Sequence, residues 1–156
     1  MKKKVFSGFV IASAILYIYF LFNVLFIQFG RGNIALSEHM RFVYAFNLTP
    51  FKTIAEYCAA FIDGNRGAAI MNLAGNLLLL LPLGFYLPFL VRKMAKIGVY
   101  AVVVSAVIIF IEVAQMMTRT GSLDIDDFIL NLSGALIGIA ICKRMPIRSL
   151  LMLRAY

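Results

Sequence analysis

The chain reads as an all-α integral membrane protein, with four transmembrane helices and a short amphipathic helix in an outer loop. Three observations carry that reading. Of its 156 residues, 63% are hydrophobic and 14% charged, with a mean hydropathy of +0.94. Soluble domains run at roughly 45–50% apolar and about 25% charged, so a soluble fold would leave much of the excess in water. The apolar residues also gather into four runs, and a helix needs about 20 residues to cross ~30 Å of hydrocarbon. Finally, the cations lie between those runs, as membrane flanks do. The formal net charge of +8 therefore points to a membrane rather than to nucleic acid. The length fits a single membrane domain spanning 1–156.

The first run, 5–29, follows Lys2, Lys3 and Lys4. It far exceeds the roughly 7–15 apolar residues of a signal-peptide core, and no A-x-A site follows, so it is expected to be retained as a helix. Between the first and second runs, Thr49 and Pro50 read as an N-cap with proline at the first helical position. Phe51, Ile54, Cys58 and Phe61 then recur at helical spacing, and Gly64 ends the run. That predicts an amphipathic helix at 50–62, lying in the interface or packed on the bundle. The second run, 68–91, holds Pro82 and Gly84, which predict a bend midway. The third is 97–117. The fourth, 125–142, is the shortest, with Asp126 and Asp127 at its start and Lys143 and Arg144 at its end. Local thinning of the bilayer accommodates such a helix.

Orientation follows from the cations. Lys2, Lys3, Lys4, Arg92, Lys93, Lys96, Lys143, Arg144, Arg148 and Arg154 fall on one side; Arg31, Arg41, Lys52, Arg66 and Arg119 fall on the other. Ten against five places both termini in the cytoplasm. Cys58 and Cys142 then lie on opposite sides and form no disulfide framework. His39 stands alone in the outer loop.

The polar residues converge on this topology. Asn72 and Asn76 are four apart, on one face near the outer end of the second helix. Glu112, Gln115 and Arg119 share a face at the outer end of the third. The fourth enters through Asp124, Asp126 and Asp127, and Asp127, Asn131, Gly134 and Gly138 form one stripe. The two glycines permit close helix approach. Three helices thus carry their least lipid-compatible side chains to one depth, where they face a common polar pocket with Arg66 and Arg119 as available cations. Structural readings stand beside this one. Asn72 serves as a cap, Asn76 as interhelical glue, Asp124 as the N-cap of the fourth helix with Asp127 favouring its dipole, and Glu112 as an ion-pair partner of an arginine. Carboxylates suit magnesium or calcium, but the aspartate spacing is too short to define a site. The leading reading holds no metal and no cofactor.

These motifs resemble the VanZ-like family of bacterial membrane proteins. The resemblance rests on Asn72-Leu-Ala-Gly-Asn76 followed by Leu80-Leu-Pro82-Leu-Gly84-Phe-Tyr-Leu-Pro88, on Glu112-Val-Ala-Gln115 with Arg119, on Asp124-Ile-Asp126-Asp127 with Asn131 and Gly134, and on Asn47-Leu-Thr-Pro50-Phe51-Lys-Thr-Ile54 ahead of the second helix. It covers 41–142. The resemblance implies a small multi-helix protein, the founding member being associated with resistance to teicoplanin and related lipoglycopeptides, with no reaction attached. Together, residues and resemblance predict a cell-envelope protein whose outer pocket binds a lipid headgroup, a cell-wall precursor or a lipoglycopeptide. Arg66, Asn72, Asn76, Glu112, Gln115, Arg119, Asp124, Asp126, Asp127 and Asn131 are its candidate ligand-binding residues. The alternative is a membrane-embedded enzyme acting on a lipid headgroup, with Glu112 as base and an Asp-bound metal; a third is an oligomeric transporter.

Overall fold

The computed structural model describes residues 2–28, 46–118 and 120–145; His39 and Arg119 lie outside them. The chain is all-α, and four of its helical segments are long and apolar enough to cross a membrane: Val5–Ile27, Ala69–Leu90, Ile97–Thr118 and Ile125–Arg144. The elements run α1 (Lys2–Phe22), continued by a π-helical segment at Asn23–Gln28; β1 (Phe46–Asn47); α2 (Lys52–Ile62); α3 (Arg66–Leu79); α4 (Leu83–Leu90); a 3-10 turn at Arg92–Ala95; α5 (Ile97–Thr118); β2 (Leu123–Asp124); and α6 (Ile125–Arg144).

The most buried element is α6, which packs against α2, α3, α4 and α5. Its small residues make that possible. A Cβ added at Gly134 would overlap the carbonyl oxygen of Leu77, and one at Gly138 that of Leu81. From the other side, a Cβ on Gly84 would run into the backbone at Gly138 and Ile139. Backbone therefore meets backbone along the whole seam, the packing that small residues provide where lipid removes any hydrophobic drive between helices. Leu80, Tyr100, Val104, Ile108, Ala135 and Ile139 fill the core beside this seam, with Leu21 closing it from α1.

The second span is broken rather than bent, with residues 80–82 forming a turn between α3 and α4. Pro82 has no N–H to give the carbonyl four residues back, and the Leu83 N–H reaches only Leu80 (3.1 Å). The Leu79 carbonyl released by the turn accepts the Tyr17 hydroxyl at 2.6 Å. A freed carbonyl at membrane depth requires such a partner. Tyr17 also lies against Tyr86, and Phe6 against Phe89, with ring centroids 5.3 and 6.1 Å apart. These contacts hold α1 to α4, while the opposite face of α1 leaves Phe9, Leu16, Tyr19 and Phe22 exposed for lipid.

The amphipathic helix forms, with a corrected start. It begins at Lys52 rather than at residue 50, and Thr49 is not its cap. Phe51 holds the cap position with φ of 65°, and the cap carboxylate comes from elsewhere: Asp126 of α6 accepts the Phe51 N–H at 2.6 Å and the Ile54 N–H at 3.2 Å. At the other end Gly64, with φ of 100°, lets the Asn65 N–H return to the Ala60 carbonyl (2.8 Å), a Schellman closure. No residue of α2 is buried, and Phe51, Phe61 and Ile62 are exposed.

Candidate functional site

Two loops that precede helices are tied together where α2 and α6 begin. β1 and β2 pair in parallel, Phe46 with Leu123 and Asn47 with Asp124. Asp124 is the N-cap of α6, as its position in the sequence predicts: its Oδ1 accepts the Asp126 N–H at 2.8 Å. Its Oδ2 accepts the Thr53 hydroxyl at 2.6 Å and the Asn47 amide at 3.2 Å, while Thr53 Oγ1 accepts a further bond from Asn47 at 2.6 Å. Asp126 is fully buried, with one oxygen on the N–H of Phe51, the cap of α2, and the other on the Ile54 N–H. These two aspartates thus have structural partners at every oxygen. Among the described residues, no three His, Cys, Asp or Glu side chains are grouped to hold a metal ion.

Beside this knot lies a cavity of about 770 Å³ between α1, α3, α5 and α6. The polar part of its lining includes Asn72, Asn76, Glu112, Gln115, Asp124, Asp127 and Asn131, seven of the ten residues singled out from sequence. Asn76 donates a short bond to Asp127 Oδ1, joining α3 to α6. Glu112 is buried, and its Oε2 accepts one long bond, 3.4 Å, from the Asp124 N–H. Asn131 donates to its own helix at the Asp127 carbonyl (2.9 Å), and its Oδ1 is buried without a partner. Gln115 contributes differently from expectation, since its amide donates to the Leu25 carbonyl at 3.0 Å and so ties α5 to the π-helical end of α1.

Arg66 does not join this group. It is exposed at the start of α3 with its guanidinium over the Phe61 ring, 5.6 Å from the centroid, a cation–π contact. Asp126 also stays outside the lining. The described lining therefore carries carboxylates and amides and no Lys or Arg.

Among the polar lining residues that escaped the sequence reading are Tyr17, Thr53 and Tyr57. Thr53 and Tyr57 are four apart on α2 and share a face, a signal that was legible once the helix was placed. Burial, and after it the carboxylates of Asp127, Asp124 and Glu56, raise the Tyr57 phenol above its ordinary value, so it remains a neutral hydroxyl. Nothing in the sequence pointed to Tyr17, whose partner is a carbonyl 62 residues away.

Residues 11–149 match the VanZ/LLP1 family. The chain belongs to that family. The match extends beyond 41–142 in both directions and takes in most of α1, so the helix that contributes Tyr17 and Leu25 to the cavity is part of the family's extent. No curated protein and no solved structure matches the chain. Membership and the four apolar helices make this VanZ/LLP1 protein a multi-pass membrane protein.

Proposed function

We propose that this VanZ/LLP1 protein is a cell-envelope binding protein whose cavity opens on the extracytoplasmic side and takes a lipid headgroup, a cell-wall precursor or a lipoglycopeptide. On this reading it contributes to resistance against glycopeptides such as teicoplanin, in keeping with the family to which it belongs. The observation that carries the reading is the cavity itself, in which a polar end made by Asn76, Glu112, Asp127 and Asn131 adjoins walls made by Phe20, Leu25, Ile70, Leu78 and Ile111. A few fixed polar groups in a mostly apolar recess are the common form of a small-ligand site. The outward orientation rests on the ten-to-five division of Lys and Arg.

Mass spectrometry of lipids retained by the purified protein tests the reading. Wild type should retain a species that Glu112→Gln releases, with the helical circular dichroism of the two unchanged. Identical retained lipids at identical levels in both would sink it. The second reading keeps Glu112 as a general base acting on a bound headgroup, favoured by its single long hydrogen bond. Conversion of the retained species over time, abolished by the same substitution, would select it over simple binding.

A further inference from the structure

The chemistry of the polar end narrows the ligand class within that binding reading. Glu112 and Asp127 face one cavity, and its described lining holds no Lys, Arg or His. The third group is Asn131, which is 6% exposed and lines the same cavity, and whose buried Oδ1 accepts nothing. Its amide orientation is fixed, because the Nδ2 donates to the Asp127 carbonyl and only the NH2 end satisfies a carbonyl. Three residues with acceptor oxygens thus line one cavity, two of them carboxylates. A phosphate would add acceptors and negative charge to a place that already has both. A group that answers all three donates several hydrogen bonds and carries positive charge.

The remainder of the wall indicates how such a group arrives. Phe20 of α1 and Ile70, Met71 and Leu78 of α3 line the cavity while also lying on the exposed surface. α1 and α3 meet only lightly, chiefly through the Tyr17 hydroxyl on Leu79. The outer side of this seam is thus apolar, and the same apolar side chains reach the cavity.

We propose that the cavity binds a hydrocarbon-chain amphiphile whose headgroup carries a primary ammonium. The ammonium sits among Glu112, Asp127 and the Asn131 Oδ1, and the chain leaves between α1 and α3. This rests on the binding reading above and specifies its ligand. A primary ammonium supplies three N–H donors from a compact charge, one for each acceptor. A quaternary ammonium supplies the charge without the donors.

The test uses the full chain in dodecyl maltoside micelles, with melting followed by circular dichroism as dodecylamine, dodecyltrimethylammonium, dodecyl phosphate or methylamine is titrated. Dodecylamine should raise the melting temperature saturably. Its apparent Kd should be lower than that of dodecyltrimethylammonium by about tenfold, the scale of losing charge-assisted hydrogen bonds. Dodecyl phosphate should give no saturable shift, and methylamine, which lacks the chain, should bind at least about tenfold more weakly. Glu112→Gln and Asp127→Asn each keep an oxygen for the existing bonds from Asp124 and Asn76, and each should remove the preference for dodecylamine. The headgroup series on wild type is decisive even where a variant folds poorly. A saturable shift with dodecyl phosphate, or equal binding of the trimethylammonium head, overturns the ammonium proposal while leaving a pocket for amphiphiles. Methylamine binding as tightly as dodecylamine overturns the chain path. No saturable shift with any head overturns the proposal and counts against the binding reading with it.

Discussion

Asp126 accepts the N–H groups of Phe51 and Ile54, and both of its oxygens are thereby occupied. Asp126→Ala would leave those two donors unmet, at about 1–3 kcal/mol for each that stays shielded from water. The expected outcome is a joint fall in melting temperature and in membrane abundance, with a smaller fall for Asp126→Asn, which keeps one acceptor. Thermal scans and immunoblots of membranes measure both. A normal melting temperature with lost ligand retention would return Asp126 to the binding surface. From sequence, Asp126 and Glu112 look alike, each an acid near the outer end of a span. What separates them is the partner. Asp126 meets a helix N-terminus more than 70 residues earlier in the chain, and no local pattern announces that meeting. The i, i+4 pairs and the glycine stripe are local, and for that reason they could be read. Arg66 shows the opposite limit, since its charge suggested a pocket partner and the Phe61 ring took it instead.

At the level of elements, α6 is held by reciprocal absence of side chains. Gly134 and Gly138 receive the carbonyls of Leu77 and Leu81, and Gly84 receives the backbone of α6 in return. Gly134→Ala should therefore force α6 from α3, separating Asp127 from Asn76, and lower the melting temperature by far more than an ordinary surface change. Gly8→Ala is the control. It has open space around the added methyl and gains helix propensity of up to about 1 kcal/mol, so its melting temperature should hold or rise. Equal melting temperatures for the two variants would refute the seam. The sequence signalled this packing through its glycine spacing, and it signalled the interruption of the second span through Pro82. It misplaced the start of α2 by two residues, because Thr49-Pro50 imitates a cap and the residue that follows, Phe51, takes a left-handed conformation instead.

For the molecule in its membrane, the division of charge makes a prediction that starts from the native cysteines. Cys58 is exposed on α2, and Cys142 is buried. With both termini inside, a membrane-impermeant maleimide should label intact cells at Cys58, and Cys58→Ser should remove the signal. In that background Lys93→Cys, at an exposed position between α4 and α5, should react only after the cells are opened. The reverse pattern would turn the cavity towards the cytoplasm and exclude an extracellular antibiotic as its ligand.

The bonds that join Asn47, Phe51, Thr53 and Ile54 to Asp124 and Asp126 span 71 to 77 residues of chain. Ribosomal synthesis delivers those two groups far apart in time, the acceptors last. A nascent chain that has already threaded α1, α3, α4 and α5 still lacks the carboxylates that start α2 and the helix that presents Asp127 and Asn131. The long closure comes late by necessity. Pocket completion thus waits for α6, and a ribosome stalled before residue 124 leaves a membrane-inserted but empty-handed precursor.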